Sequence, residues 1–419
     1  MNFGINTIDD FEINGKTILC RIDINEPVNK RTGEIKDITR INACAGTIRE
    51  LSDKGAKVVL LAHQGSDIEY KNFFTTKYHT AKLEECVGKK VQFIDDVCGP
   101  AAREKISSLS NSDILLLDNV RFISEEQTLF EKKLALSHEQ QAETLLVRKL
   151  APLADIYLCD AFAAAHRDQP SLCGFEQVLP SAMGRLFEKE YVVISKIMNS
   201  PARPCTFVLG GAKIADAFTM ISSVLDKGAA DYVLLGGLAG NIMLASSGYS
   251  IGNGSMKFIE ESNYSGYIED GKKILEKYQD KIIMPCDLAY TKNGERMEAD
   301  LGSIPSDIIS TDIGNKTAKK YMGIIKSSQT VFVNGPMGVF EESLTEYGTK
   351  SVWKSLADTD AFTVIGGGDS ITATKKYGET KDISYICTGG GSLIRFLSGE
   401  ELPVVKALRH AAETFGSDK

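Results

Sequence analysis

The chain has 419 residues, more than one hydrophobic core usually organises, so two domains are expected. Its hydrophobic share of 43% and charged share of 25% are typical of a globular protein and exclude a fibrous or largely disordered chain. The net charge of −8 and the lack of a basic block argue against a nucleic-acid partner.

The first half of the chain alternates short apolar runs with helix-like segments. The strand-like runs are 17–25, 57–63, 91–94, 113–122 and 155–167, and the helix-like segments are 37–51, 74–87, 101–108 and 134–150. This alternation predicts a parallel α/β sheet.

A helix-like segment at 184–198 and a breaker-rich joint at 199–204 mark the predicted domain connection. After the joint, six strands each lead into small residues, at 206–213, 232–241, 281–289, 330–340, 362–370 and 385–392. We therefore predict an α/β fold of two Rossmann-like, three-layer parallel-sheet domains, 1–180 and 184–401, joined by a helical hinge.

Three sequence features bear on the compartment in which the protein works. Nine cysteines are scattered without a C-x-x-C pair, which indicates reduced thiols in a cytoplasmic protein rather than disulfides or a zinc framework. The N-terminus lacks the basic and apolar regions of a signal peptide. The longest uncharged stretch, 232–256, is broken by Gly, Ser and Asn, so no membrane span is expected.

The stretch TVIGGGDSIT, 363–372, has the residue order that an anionic ligand at a helix start needs. Glycines let backbone N–H groups approach a phosphate, and the helix N-terminus that Ser370 is expected to cap carries partial positive charge. Asp369 is too negative to face phosphate alone, so a bridging Mg²⁺ is expected. The alternative is a strand-to-helix turn that uses small residues without binding a ligand.

The residues that follow the strands differ between the two halves. In an open parallel sheet, ligands bind outside the carboxyl ends of the strands. The first half therefore predicts a basic pocket for a small anion, and the second half a nucleotide-phosphate cradle. A strand-ending Arg, taken alone, is more often a surface ion-pair residue than a ligand-binding one. The first-half residues are Arg21, Asp23, Asn25, His63, Arg121, His166 and Arg167; the second half has glycines, Lys213, Asn334 and Asp369.

The segments CRIDIN, AHQGS, LLLDNVRF, DAFAAAHR, GGAK, NGPMGVFE, GGGDS and TGGGS together resemble the phosphoglycerate kinase family, in its archaeal form, from Arg21 to Gly399. The resemblance implies a two-domain hinge enzyme of glycolysis and gluconeogenesis. Such an enzyme moves a phosphoryl group reversibly between 1,3-bisphosphoglycerate with ADP and 3-phosphoglycerate with ATP, using Mg²⁺. It also implies that a C-terminal helix, 402–415, packs on the first domain, and that the chain is a monomer or weak homodimer.

The resemblance also implies site residues. Arg40 and Lys213 would be catalytic, Asp369 would bind the metal, Glu341 the ribose, and Gly236 with Gly237 would leave room for adenine. The implied substrate site is Asp23, Asn25, Arg40, His63, Arg121 and Arg167; the implied nucleotide site is Gly211, Lys213, Gly236, Asn334, Glu341, Gly366, Gly367, Gly368, Asp369 and Ser370.

Two positions depart from the family pattern, because Ser66 and Ala217 stand where many members carry Arg and Lys. Lys196 and Lys316 are candidate replacements for the missing positive charge. Two alternatives stay open on this ground: a related ATP-dependent kinase acting on another small carboxylate, and a non-catalytic nucleotide-binding relative. The presence of both Arg40 and Arg121 argues against the second.

Overall fold

The computed structural model describes residues 3–29, 31–65, 73–126, 136–378 and 382–418. The chain divides into two compact units, here called unit 1, Met1–Val192 with Glu401–Lys419, and unit 2, Val193–Glu400. Among the described residues, no helix is long and apolar enough to cross a membrane.

Unit 1 is built on a parallel sheet of six strands in the order β3-β4-β2-β1-β5-β6. Its central strands are buried almost throughout, and they read as continuous apolar runs because helices cover both faces of such a sheet. The strands are β1 Thr17–Arg21, β2 Lys57–Leu61, β3 Gln92–Ile94, β4 Ile114–Leu117, β5 Ile156–Cys159 and β6 Ser181–Met183.

The helices of unit 1 lie between these strands, and the last of them comes from the end of the chain. That C-terminal helix joins the unit through hydrogen bonds from Val404 N to Ala165 O, 3.4 Å, and from Arg409 Nε to Phe3 O, 3.2 Å. The α-helices are Thr39–Asp53, Thr80–Val87, Pro100–Ser107, His138–Ala142, Leu145–Leu150, Pro170–Cys173 and Pro403–Phe415; the helix Arg185–Asn199 begins in unit 1 and ends in unit 2.

The predicted helix at 134–150 is wrong in part. Residues 134 and 135 lie outside the described residues, and the remainder forms two short helices, His138–Ala142 and Leu145–Leu150. Thr144 separates them: its backbone is extended, and its hydroxyl donates to Gln141 O at 2.6 Å, closing the first helix.

Unit 2 contains a second parallel sheet of six strands, in the order β15-β14-β13-β7-β8-β9. Each of the six predicted strand-then-small-residue segments supplies one strand to this sheet, so the predicted α/β class with two parallel sheets is confirmed. The strands are β7 Cys205–Leu209, β8 Tyr232–Leu235, β9 Ile282–Ile283, β13 Thr330–Asn334, β14 Phe362–Gly366 and β15 Tyr385–Ile386.

A small antiparallel sheet of unit 2 was not predicted. The segment 281–289 is not one strand: after β9 the chain passes Pro285, which lacks a backbone N–H, and continues as β10 Asp287–Lys292. This strand pairs with β11 Glu295–Asp300 and β12 Asp312–Ile313. Asn293 and Gly294, with φ of 54° and 78°, form the β10–β11 turn, and that Asn-Gly pair was the readable signal.

Five helices of unit 2 follow strands of its large sheet, Asn253–Glu261 and Gly266–Tyr278 follow another helix, and Asn315–Ser327 follows β12. Residues 266–273, GYIEDGKK, nearly match a phosphate-loop motif, but they end in Lys where the motif needs Ser or Thr, and they begin a polar helix rather than follow a strand, so they are not a phosphate loop. The α-helices are Ile214–Asp226, Gly237–Ser246, Asn253–Glu261, Gly266–Tyr278, Asn315–Ser327, Tyr347–Ala357, Gly368–Tyr377 and Gly390–Leu397.

Candidate functional site

In unit 1, the carboxyl end of β1 carries a buried arginine, Arg21. Its Nε atom donates to Ser171 Oγ at 2.9 Å, and its Nη2 atom lies 3.0 Å from His63 Nδ1. His63 follows β2, the strand paired with β1. Arg21 is not among the residues of the implied substrate site, because an Arg at the end of a strand does not by itself indicate burial.

The charges of four arginines act on His63. Burial lowers the pKa of His63 well below its ordinary value, and the charges of Arg21, Arg121, Arg167 and Arg40 lower it further. His63 is therefore a neutral hydrogen-bonding group near neutral pH. The structure thus brings together four members of the predicted substrate site, His63, Arg40, Arg121 and Arg167, and adds Arg21 to them.

Arg40 lies in the first turn of the helix Thr39–Asp53 and forms an ion pair with Asp23. Its backbone N–H donates to Glu26 Oε1 at 2.6 Å. Asp23 in turn accepts a hydrogen bond from Asn25 N at 3.0 Å. Asn25 Oδ1 accepts from Gly65 N at 2.9 Å, so the loops after β1 and β2 are tied together.

Arg121 is buried, and a network of neutral side chains fixes its position. Asn119 accepts from Arg121 N at 3.0 Å and donates to Gln64 O at 2.7 Å. The Arg121 guanidinium donates to Gly65 O and lies 6.0 Å from the Phe73 ring centre. Asn119 and Gln64 were missed in the sequence, although Asn119 stands in the segment DNVRF that pointed to Arg121.

Three further positions of unit 1 are Glu126, His166 and Ser66. Glu126 is buried and accepts from Ser171 N at 2.9 Å; burial raises its pKa, while Arg21, Ser171 and Arg121 lower it. His166 is half-buried, next to Arg167. Ser66, where the family pattern favours Arg, lies outside the described residues.

In unit 2, the turns after the central strands pack backbone against backbone. Gly211 N donates to Pro336 O at 2.8 Å, and Gly237 N donates to Met337 O at 2.7 Å. A Cβ atom at Gly210 would lie 2.1 Å from Pro336 O, so no larger residue fits there. The glycines are thus required by close approach of neighbouring turns, whether or not a ligand is bound.

The loop after β14 leads directly into the helix Gly368–Tyr377. Gly367 has a φ of +88°, and a Cβ atom there would lie 2.4 Å from Asn334 Oδ1. The prediction that Ser370 caps this helix is wrong. The buried Ser370 lies inside the first turn, and its hydroxyl accepts from Gly335 N at 2.7 Å. It therefore ties the β13 and β14 loops together.

A cavity of about 330 Å³ opens beside these turns. Gly211, Gly237, Glu341 and Asp369 are among the residues that line it, and apolar residues form most of the rest, among them Phe258, Leu288, Ile309 and Val339. Gly236 lies behind this lining, where a Cβ atom would be 2.6 Å from Met337 Sδ.

Lys213 and Asp369 are exposed at the starts of their helices, Ile214–Asp226 and Gly368–Tyr377. Each is therefore available to a solvent-borne ligand next to free helical N–H groups. Ala217 is buried one turn into the first of these helices.

The two lysines considered as replacement cations lie elsewhere. Lys196 Nζ is 5.5 Å from the Phe362 ring, at the amino end of β14, opposite to the glycine loop. Lys316 forms an exposed ion pair with Asp300 at 2.7 Å. Neither arrangement favours a role at the phosphate loop.

The chemistry of both sites is electrostatic. Burial raises the pKa of the Cys159 and Cys205 thiols to about 12, so neither offers a ready thiolate nucleophile. Unit 1 offers guanidinium groups to a small anion, and unit 2 offers backbone N–H groups, a lysine and a carboxylate to a phosphate chain and a cation.

Comparison with known proteins gives one consistent result. A family model described as phosphoglycerate kinase matches residues 8–400. The chain is 43% identical to the phosphoglycerate kinase of Methanothermus fervidus over 417 residues, covering 100% of this chain and 99% of that protein. It is also 43% identical to that of Methanothermobacter thermautotrophicus, covering 98% of each.

Solved structures agree. The crystal structure of phosphoglycerate kinase from Pyrococcus horikoshii superposes with a TM-score of 0.86 at 38% identity, covering 98% of this chain and 100% of that one. The phosphoglycerate kinase of Coxiella burnetii gives a TM-score of 0.81 at 26% identity, covering 96% and 98%.

Proposed function

Because the chain belongs to the phosphoglycerate kinase family, we propose that unit 1 binds the phosphoglycerate and unit 2 binds the nucleotide. The chain is a phosphoglycerate kinase, a phosphotransferase whose acceptor is a carboxyl group. It transfers a phosphoryl group reversibly between 1,3-bisphosphoglycerate with ADP and 3-phosphoglycerate with ATP. The finer assignment of residues to these steps is our proposal.

The observation that supports the unit 1 assignment is the charge of four arginines acting on the neutral His63, with Arg21 in contact with the His63 ring and Arg40 paired with Asp23. A phosphoglycerate carries a phosphate and a carboxylate, and guanidinium groups pair with both in a two-pronged geometry. In this proposal Arg121 and Arg167 bind the phosphate of the substrate, while His63, Asp23 and Asn25 contact its polar groups. Arg21 acts behind them by holding the His63 ring.

In unit 2, the proposed nucleotide site is the cavity with the adjoining glycine turns. Its apolar lining suits a flat base, and Glu341 at its edge suits the hydroxyls of a ribose. The phosphate chain would extend toward the N-terminus of the helix Gly368–Tyr377 and toward Lys213. The remaining positions of the proposed site form the turns that hold this path: Gly211, Gly236, Asn334, Gly366, Gly367, Gly368 and Ser370.

Asp369 is the proposed metal ligand. Mg²⁺ is usually held by one or two carboxylates and by the phosphates of the substrate, keeping several waters. An exposed carboxylate at a helix start that also lines the nucleotide cavity fits that description. When bound, Mg²⁺ would neutralise charge on the nucleotide phosphates.

The transfer step needs positioned cations rather than a covalent intermediate. The carboxylate of 3-phosphoglycerate attacks the terminal phosphorus directly, and charge spreads over the three equatorial oxygens of the moving group. We assign Arg40 and Lys213 to those oxygens. A positioned donor of this kind lowers the barrier by about 3–4 kcal/mol. Because Ala217 stands where many family members carry a lysine, Arg40 and Lys213 would supply a larger share of the transition-state stabilisation than in those members.

Three further proposals concern the cellular compartment, the binding partners and the oligomeric state. None of the nine cysteines, all of which the structure describes, forms a disulfide, which suits a reducing cytoplasm. The partners are small molecules, with no nucleic acid and no membrane, since the acidic chain lacks a basic block. We propose a monomer or a weak homodimer.

A steady-state assay with 3-phosphoglycerate and a panel of nucleotides tests the proposal. We expect Mg²⁺-dependent turnover with ATP, detected through a coupled enzyme that consumes 1,3-bisphosphoglycerate. Turnover with a different small carboxylate, and none with 3-phosphoglycerate, would contradict it.

A further inference from the structure

Three potential metal ligands meet in unit 1, outside the substrate site. His138, Asp168 and Cys173 each offer one ligand atom, and these atoms all lie within 4.8 Å of one another. His138 Nε2 and Asp168 Oδ1 are 3.4 Å apart. Cys173 is a free, buried thiol, and Asp168 is exposed, so the cluster is anchored in the unit and open to solvent on one side.

We propose that His138, Asp168 and Cys173 form a binding site for Zn²⁺ or a chemically similar divalent transition ion, with water as the fourth ligand. A set of one nitrogen, one oxygen and one sulfur atom is typical of zinc. Mg²⁺ and Ca²⁺ prefer oxygen ligands throughout, so this cluster is distinct in its chemistry from Asp369.

The spacing of the ligand atoms suits such an ion. Bond lengths of about 2.0–2.3 Å in a tetrahedral site put neighbouring ligand atoms about 3.3–3.7 Å apart. The His138–Asp168 pair already has this spacing, at 3.4 Å. The widest separation in the cluster, at most 4.8 Å, needs a closure of only about 1 Å, which small side-chain rotations provide.

A second layer of contacts orients the ligands. The side-chain amide of Gln141 donates to Asp168 Oδ1 and also to Leu136 O, at 3.3 Å. Hydrogen bonds of this kind fix the direction of a metal-binding carboxylate and are energetically important in known sites. Cys173 Sγ donates a weak hydrogen bond to Arg167 O at 3.8 Å, and the thiol gives up this bond when it binds an ion as a thiolate.

A bound ion would connect three separate pieces of unit 1. His138 begins the helix His138–Ala142, Asp168 lies in a turn, and Cys173 ends the helix Pro170–Cys173. Because Asp168 directly follows Arg167, the ion would also restrain the turn that presents this arginine. That last consequence rests on the proposed function; the metal site itself does not.

Cobalt substitution tests the site directly in the full-length protein without a histidine tag, after removal of metal by a chelator. We expect Co²⁺ to give a thiolate-to-cobalt charge-transfer band that saturates at about one ion per chain. The variant Cys173→Ser should lose this band. The control Cys286→Ser, which removes an exposed thiol of unit 2, should keep it.

Calorimetric titration with Zn²⁺ gives a second, quantitative test. Since loss of an outer-shell partner alone costs about 10–100-fold in affinity, His138→Gln and Asp168→Asn should each lower the Zn²⁺ affinity at least about 100-fold, and Gln141→Met about 10-fold. Circular dichroism checks that each variant is folded, and the half-buried His138 keeps the test valid if Cys173→Ser fails to fold. The proposal is overturned if wild-type protein shows no charge-transfer band, if Cys173→Ser keeps it, or if His138→Gln binds Zn²⁺ normally.

Discussion

The two units end their parallel strands in opposite ways. Unit 1 ends them in buried, charged side chains, among them Arg21 and Arg121, held by further side chains such as Asn119. Unit 2 ends them in glycines that touch other backbone, with its charged groups Lys213 and Asp369 left exposed.

The difference follows from what each kind of ligand requires. A small anion offers few atoms, so it is best held by guanidinium groups that are fixed before it arrives. Burying those groups is costly unless every one is paired, which explains the dense network of Asn25, Gln64 and Asn119. A phosphate chain instead reaches backbone N–H groups, and close approach to them requires glycine.

The largest effect is expected when the charged side chain of Arg40 is removed from unit 1. Arg40→Ala should lower kcat about 1000-fold, because an arginine at the moving phosphoryl group stabilises its transition-state charge, with nucleotide affinity little changed. Arg49→Ala is the matched control on the same helix, since Arg49 donates to Val87 O at 2.8 Å, a structural contact. Near-normal turnover of Arg40→Ala would remove the assigned role.

The corresponding substitution in unit 2 is Asp369→Asn. The change removes one negative charge at the proposed metal ligand, so we expect kcat/KM for MgATP to fall about 100-fold, partly recovered by raising Mg²⁺. Asp358→Asn, an exposed position at the end of the helix Tyr347–Ala357, is the control. An unchanged Mg²⁺ dependence in Asp369→Asn would contradict the metal role.

Neighbouring glycines of unit 2 provide a matched pair for stability. Gly367→Ala places a Cβ atom 2.4 Å from Asn334 Oδ1 at a φ of +88°, so it should lower the free energy of unfolding by about 2–3 kcal/mol. Gly368→Ala meets nothing within 4 Å and has an ordinary φ, so its stability should be unchanged or slightly raised. Urea denaturation measures both, and equal effects would show that the strained turn is not rigid.

The buried acid Asp160 gives the smallest expected effect, and one that depends on pH. Burial raises the pKa of Asp160 to about 7, and its Oδ1 accepts from Leu186 N at 2.9 Å. Between about pH 4 and pH 7, the Asp160 carboxyl is therefore protonated in the native state but ionised in the unfolded state, in which its pKa is near 4. This contribution to stability is present at low pH and is lost as the pH rises through about 7.

Asp160→Asn keeps the hydrogen-bond acceptor and removes this titration. Between pH 5 and pH 8, we expect the wild-type protein to lose about 2 kcal/mol of unfolding free energy relative to the variant. Denaturation curves at the two pH values measure it. Parallel pH dependence of the two proteins would show that Asp160 is ionised in the native state throughout.

Most of the fold could be predicted from sequence, because apolar runs that alternate with helical periodicity indicate parallel sheets. The errors fall where local hydrogen bonds override periodicity. Thr144 divides a predicted helix, Pro285 divides a predicted strand, and an Asn-Gly turn introduces an unpredicted hairpin. Each depends on one or two residues, so a pattern averaged over a window conceals it.

Within the sites, sequence indicated which residues end strands but not what they contact. Ser370 follows a glycine turn in the manner of a helix cap, yet its hydroxyl binds Gly335 N on the neighbouring strand loop. Asp23 was predicted to bind the substrate and Arg21 was not, although the buried Arg21 is the residue that contacts His63. Contacts between distant segments, such as Arg21 with Ser171, have no local signature.

The central claim is that side chains of unit 1 bind 3-phosphoglycerate and that unit 2 binds the nucleotide. Calorimetric titration of both ligands into Arg167→Ala and Lys213→Ala tests it most directly. We expect Arg167→Ala to weaken 3-phosphoglycerate binding at least about 10-fold with nucleotide affinity unchanged, and Lys213→Ala to do the reverse, since charged hydrogen bonds contribute about 1.5–3 kcal/mol each. If both variants weakened the same ligand, or neither weakened any, the division of binding between the units would be contradicted.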